Sequence, residues 1–202
     1  MARFVGSTLV LATHNAGKVA ELKDLLSPYS VSVQSAADLG LAEPAETETS
    51  FVGNARIKAF SAAYATGLPA LADDSGITVD GLNGAPGVYT ADWAETPNGR
   101  DFGLAMVRTW QALEICNAPF PRTAQFRCTL VLAYPDGNHQ AFEGVMPGQI
   151  VWPGRGGQGH GYDPIFKPDG FDITFGEMDR WAKNRISHRG KAFDLLIKEC
   201  FT

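Results

Sequence analysis

Four stretches of this chain bring together side chains suited to phosphate and metal chemistry. Thr13-His14-Asn15-Ala16-Gly17-Lys18 lies between an apolar run and a helical pattern. At such a junction the free N–H groups and positive dipole end of a helix make an anion site. Asn15 adds an amide donor and Lys18 a full charge, although the spacing is not that of a P-loop. A plain turn, with Thr13 and Asn15 bonding nearby backbone, explains the same residues. Asp73-Asp74-Ser75-Gly76 follows Leu71-Ala72, with Glu46 upstream. Adjacent carboxylates stay ionised cheaply only beside a cation, and Mg2+ suits one or two carboxylates plus substrate phosphates. A carboxylate there can also take a proton from attacking water. The competing reading is an Asp-rich turn at a strand end.

Gly154-x-Gly156-x-x-Gly159 matches the dinucleotide pattern only formally. Pro164 follows closely, where the Rossmann fingerprint must open a helix. These glycines instead suit either close approach to a flat ligand or a mobile loop. The fourth stretch is Lys183-x-x-Ile186-Ser187-His188-Arg189-Gly190-Lys191, read as the start of the last helix. His188 and Arg189 can donate to a carbonyl-bearing base or a phosphate. Cations at a helix N-terminus oppose the dipole, which argues against a purely structural role. Lys58, on an alanine-rich helical face, is either a stray cation or a phosphate contact.

The elements that would position these groups follow from periodicity. Ser7–Ala12 reads as a buried strand, Lys18–Leu26 as a helix and Val31–Val33 as a short strand. A second helix covers residues 50–66 and is closed by Gly67 and Pro69. Leu71–Ala72 and Ile77–Val79 are strand on either side of the Asp73–Gly76 group. A third helix covers Asp101–Cys116. Ala124–Ala133 alternates, turns at Pro135–Asn138 and returns through Gln140–Val145, with a further strand at Gln149–Trp152. Ser187 caps a last helix ending near Cys200. Helices early and late, with hairpins between, predict an α/β domain with a mixed sheet.

Composition narrows the class. The 202 residues are 45% apolar and 19% charged, enough to bury about 70% of the unfolded surface in one core. Lys+Arg 17 against Asp+Glu 22 gives −5, a poor balance for nucleic-acid binding. Residues 38–50 carry Asp38, Glu43, Glu46 and Glu48 with no base, and residues 180–191 carry five bases with no acid. Together with the glycine-rich loop, they suggest a metal-binding side facing an anion-binding side. Cys116, Cys128 and Cys200 form no C-x-x-C pair and read as reduced thiols of a cytoplasmic protein. Met1–Arg3 followed by an apolar run outlines a leader, but the run is short and enters a polar loop, so it reads as a first strand. No apolar stretch reaches the about 18 residues of a membrane span. The histidines lack zinc-ligand spacing, and no G-x-S-x-G elbow is present.

In order, Leu9-Val10-Leu11-Ala12-Thr13-x-Asn15-x-Gly17-Lys18, Glu46 with Phe51-x-x-Asn54-Ala55-x-x-Lys58-Ala59, Leu71–Gly76 with Gly84–Tyr89, Gly159–Phe166 and Ile186–Ala192 resemble the inosine triphosphate pyrophosphatase family. These are house-cleaning enzymes that remove ITP, dITP and XTP. The resemblance runs from Ser7 to about Phe193. It implies a two-lobed single domain, residues 1–202, around a long mixed β-sheet with a central cleft. It also implies Mg2+-dependent hydrolysis to the monophosphate and pyrophosphate, and a homodimer. By the resemblance, Thr13, His14, Asn15, Ala16, Gly17, Lys18 and Lys58 hold the triphosphate. Glu46 and Asp74 bind metal, and Asp74 is the general base. Ser75, His160, Gly161, Tyr162, Asp163, Lys183, His188 and Arg189 contact the nucleoside.

Two residues depart from the family pattern. His14 stands where a small residue is usual, which implies a bulkier phosphate loop, and His160 replaces a stacking Phe, which implies weaker stacking. A Maf-type pyrophosphatase acting on pyrimidine or modified nucleotides is the alternative enzyme, though its S-x-S-x-x-R loop is not matched by Thr13-x-Asn15-x-x-Lys18. A nucleotide-binding module without catalysis would require the carboxylates to be lost, and Glu46, Asp73 and Asp74 are present.

Overall fold

The computed structural model describes residues 4–201, and for Glu21 the backbone alone. Met1–Arg3 and Thr202, counted above within one domain and in part within a leader-like N-terminus, lie outside them. The chain forms β1 (Thr8–Leu11), α1 (Ala16–Leu26), β2 (Ser32–Ser35), α2 (Phe51–Thr66) and β3 (Ala70–Val79). Next come the short strands β4 (Pro86–Gly87), β5 (Glu95–Thr96) and β6 (Gly99–Arg100), and then α3 (Phe102–Ile115). The rest comprises β7 (Thr123–Ala133), β8 (His139–Ile150), β9 (Phe166–Pro168), α4 (Arg180–Ile186) and α5 (His188–Cys200). Seven strands form one sheet in the order β2-β1-β3-β7-β8-β9, with β4 added on β3. β1 is parallel to β2 and to β3, so a helix must cross over each time. β4 and β9 are antiparallel to β3 and β8. The expected α/β class with a mixed sheet is what the chain adopts.

Two compact units share this chain. The first holds the chain up to Asp74, Thr129–Glu143 and the chain from Ala192; the second holds Ser75–Cys128 and Gly144–Lys191. In the first, Ala55, Ala59, Ala62 and Ala63 of α2 pack with Val10, Ala70, Ala72 and Val131. Side chains this small let a helix lie close on a sheet. Ser50 caps α2 by accepting from the Gly53 N–H, and Gly67 ends it at φ 69°. In the second, Ile77, Val79, Phe126, Ile150, Phe166 and Phe175 form an aromatic-rich core.

Three expectations change. Asp73–Gly76 is not a strand end but the middle of β3, whose residues are buried nearly throughout. The two strands read around Pro147 are one, β8, because the Pro147 carbonyl still accepts from the Asp169 N–H. Lys183 lies on a separate helix, α4, capped by Asp179 through the N–H groups of Trp181 and Ala182. α5 begins after it with Ser187 Oγ accepting from Gly190 N–H, as expected of a cap.

Candidate active site

In the first unit, a turn links β1 to α1. Asn15 is the N-cap residue, its Oδ1 accepting from Gly17 N–H at 3.0 Å and Lys18 N–H at 3.2 Å. Its own N–H donates to Thr13 Oγ1. The cap fixes the amide's orientation, because only the oxygen can face two N–H groups, and the Asn15 NH2 is left as the donor. Ala16 opens the helix. His14 Nε2 lies 2.8 Å from the Leu41 carbonyl.

Lys18 extends to Asp73, Nζ to Oδ2 2.7 Å. Lys58, on the buried face of α2, reaches Glu46 Oε1 at 2.8 Å and Asp74 Oδ1 at 3.7 Å. Asp73 and Asp74 are 3% and 7% exposed. Two adjacent carboxylates inside a sheet are tolerable only when paired, and one lysine from each of α1 and α2 supplies the pairing. Burial pushes the Asp74 carboxyl up to about 6; Lys58 opposes this, while the negative charges of Glu46 and Asp73 add to it and a hydrogen bond from Asn54 subtracts. Burial pulls the Lys58 ammonium down, but Asp73, Asp74 and Glu46 outweigh it and leave the group above its ordinary value.

Sequence reasoning gave no role to Asn54 and took Asp73 only as the neighbour of Asp74 in a carboxylate pair suited to a cation. Asn54 is buried on α2 and joins Asp74 to the Glu48 N–H, which donates to its Oδ1 at 3.0 Å. Its signal was a polar residue at the same helical face as Ala55 and Lys58.

The carboxylates of Glu46 and Asp74 converge on one ammonium, Lys58 Nζ, so one cation can serve both. Hard oxygen donors in this number suit Mg2+, which keeps waters and substrate oxygens in its remaining positions. Among the described residues, no group of three or more His, Cys, Asp or Glu side chains is placed to hold a metal by itself.

In the second unit, Ser75 follows Asp74 along β3. His160 is exposed, its ring edge-on to Phe102 at 4.9 Å, and Gly161 (φ 69°) lies against the same Phe102 ring. Phe102 was not among the expected site residues. Tyr162 is 1% exposed; its hydroxyl donates to the Thr90 carbonyl, and burial pushes the phenol up to about 12. Asp163, 1% exposed, accepts from His160 N–H at 2.6 Å and from Lys183 Nζ. The ring of Tyr162 and the carboxylate of Asp163 are thus turned into the unit, where they brace the loop. His188 is buried, stacked on Phe126 at 4.9 Å and 11°, and Arg189 follows it on α5.

The glycine-dense loop answers to the fold. A Cβ on Gly156 would sit 1.9 Å from the Gly176 carbonyl, and one on Gly159 would sit 2.0 Å from Asp163 Oδ2. Gly190 has the same kind of reason, since a Cβ there would meet the Asn184 carbonyl at 2.1 Å where α5 abuts α4.

Residues 9–199 match the model of the Ham1 family. The dITP/XTP pyrophosphatase of Ruegeria pomeroyi is 65% identical over 198 residues, covering 98% of this chain and 97% of that protein. That of Agrobacterium fabrum is 52% identical over 204 residues, covering 96% and 95%. A HAM1 protein structure from Coxiella burnetii superposes with a TM-score of 0.90 at 37% identity, covering 96% of this chain and 98% of that one. A nucleoside-triphosphatase / dITP/XTP pyrophosphatase structure from Mycobacterium abscessus gives 0.80 at 36%, covering 94% and 98%. The five ordered sequence blocks pointed the same way, and the match extends over nearly the whole length: the chain belongs to the Ham1 family.

Proposed function

We propose that this chain is a dITP/XTP pyrophosphatase, hydrolysing deaminated purine nucleoside triphosphates (ITP, dITP, XTP) to the monophosphate and pyrophosphate. The observation that carries this reading is the charge cluster of the first unit, in which Lys58, Asp73 and Asp74 are buried and Glu46 is exposed. Glu46, Asp73 and Asp74 are set against Lys18 and Lys58 beside the N-terminus of α1. That is a donor set for a polyphosphate with its counter-cation, and the sequence relatives carry the named activity. The whole chain, residues 1–202, is taken as one catalytic domain, because it crosses between the two units after Asp74, Cys128, Glu143 and Lys191.

In this mechanism Glu46 and Asp74 would hold Mg2+, which would neutralise phosphate charge and make the attacking water more acidic. Lys58, Lys18, the Asn15 amide and the backbone of the Thr13–Lys18 turn orient the triphosphate. Asp74 takes the proton from a water attacking the α-phosphorus; the α–β anhydride bond breaks and pyrophosphate leaves. Burial raises the Asp74 carboxyl to about 6 without the ion, and a divalent cation beside it would favour the ionised form that accepts a proton. Ser75, His160, Gly161, Lys183, His188 and Arg189 contact the nucleoside. Tyr162 and Asp163 take part by shaping the loop and holding Lys183. Donors from Lys183, His188 or Arg189 meet the 6-oxo group of inosine and xanthine. The active form is a homodimer in the cytoplasm; free Cys116, Cys128 and Cys200 support a reducing compartment. Among the described residues, no helix is long and apolar enough to cross a membrane.

Pyrophosphate release tests this across ITP, dITP, XTP, dGTP, dATP, dUTP and dTTP, with Mg2+ and with EDTA. The expected result is release from the first three in Mg2+ alone. Preference for pyrimidine nucleotides would move the chain to the Maf-type chemistry, and binding without release would make it a nucleotide-binding module. Sedimentation at micromolar concentration tests the dimer.

A further inference from the structure

His14 stands immediately before the N-cap of α1, in the turn expected to hold the triphosphate, yet its ring nitrogen is engaged elsewhere. Nε2 lies 2.8 Å from the Leu41 carbonyl, 27 residues along the chain. A carbonyl oxygen only accepts, so Nε2 carries the proton and donates. The proton on Nε2 is thereby committed to Leu41.

The residue at the other end is anchored. The Leu41 N–H donates to the Ala36 carbonyl at 3.0 Å, and the Ala36 N–H donates to Leu11 at the end of β1. Ser35 and Asp38 exchange hydrogen bonds across the same turn, Asp38 N–H to Ser35 Oγ and Ser35 N–H to Asp38 Oδ2. The Leu41 side chain packs on the apolar face shared by α2 and β1. On the other flank, Asn15 already binds the N–H groups of Gly17 and Lys18.

We propose that His14 is a positioning residue that clasps the anion-binding turn to Leu41 and so sets the turn's place before substrate arrives. It does not itself touch the nucleotide. This rests on the reading that the Thr13–Lys18 turn receives the polyphosphate. An untied turn must be ordered by the nucleotide, which weakens binding and leaves the chemical step alone.

Two variants test it, His14→Ser, which cannot reach Leu41, and His14→Gln, whose amide can donate in place of Nε2. With XTP and Mg2+, His14→Ser is expected to raise KM by about threefold to tenfold, the worth of one exposed hydrogen bond, with kcat within about twofold. His14→Gln is expected to bring KM back to within about twofold of the parent. Hydrogen exchange in the nucleotide-free protein is the second readout. Amides of residues 13–18 and 39–42 should exchange faster in His14→Ser and at the parent rate in His14→Gln. Unchanged KM and exchange in His14→Ser would overturn the clasp. So would equal KM losses in both variants with exchange unaltered, because the ring would then be contacting the nucleotide. A parent protein that releases no pyrophosphate would instead overturn the proposed function, while the exchange arm still decides the clasp.

Discussion

Asp74→Asn separates the electrostatics of the buried carboxylates from their packing. Asp74 sits in mid-strand with its carboxyl pushed up to about 6 from an ordinary 3.8, burial being the largest cause. Between these values the folded state holds a proton that the unfolded chain has released. The stability tied to that proton is fully present below about pH 3.8 and is lost as pH rises through about 6. A shift of about two units corresponds to about 3 kcal/mol, a large share of a domain's net stability. Asn has nearly the same shape and no charge at any pH. In EDTA, the variant's urea-unfolding free energy minus the parent's should stay flat near pH 3.5. It should climb between about pH 4 and 6.5, and level off above pH 7 about 3 kcal/mol higher than at the acid end. Lys58 loses one of its partners in the variant, but it titrates far above this window and contributes only a constant offset. Millimolar Mg2+ at pH 7.5 should stabilise the parent, because only the folded protein gathers Glu46 and Asp74 on one cation, and should do much less for the variant. A difference constant across pH, or a parent that gains stability between pH 4 and 6 relative to the variant, would refute the assignment of excess negative charge at Asp74.

The same variant should still bind nucleotide while losing at least about 100-fold in turnover, checked by calorimetry beside pyrophosphate release. Lys58→Met keeps the length of the side chain but removes the cation from among Glu46, Asp73 and Asp74. It should cost about 3–5 kcal/mol in EDTA, as for a broken buried pair, with part regained on adding Mg2+; thermal melts with and without the ion read this out. Leaving two donors of Lys183, His188 or Arg189 facing the adenine amine costs about 1–3 kcal/mol each. The kcat/KM ratio of dITP to dATP should therefore be about 30 to 20,000, and equal efficiencies would remove these residues from base recognition. Gly190→Ala puts a methyl 2.1 Å from the Asn184 carbonyl. It should destabilise by about 1–3 kcal/mol, seen as a melting temperature lower by several degrees.

What the sequence made legible was local. Gly67 and Ser187 each carry their end signal within one turn of the helix they bound, and both occupy those caps, while Asn15 and Ser50, read as a turn donor and a first helical residue, prove to be N-caps. α4 was missed because seven residues are too short to display a periodicity. The joining of two strands into β8 was missed because Pro147 removes a donor but keeps an acceptor. The placing of Asp73 and Asp74 is of a different kind. By propensity two aspartates and a serine before a glycine make a turn, and the strand residues on either side, Leu71–Ala72 and Ile77–Val79, fit a hairpin as well as one continuous strand. The aspartates' place inside β3 is decided by Lys18, 55 residues upstream, and by Lys58, on another helix. A turn-capping aspartate would be solvated and close to its ordinary pKa. A carboxylate that is nearly buried and pushed up to about 6 departs from both, at a cost the fold could have avoided with an apolar pair of similar size. A solvated turn and a buried pair in mid-strand were indistinguishable as a string of letters, and burial tells them apart. Keeping two costly carboxylates beside two lysines, where valines would stabilise the strand, is what a sheet does when those charges have work to do with a ligand.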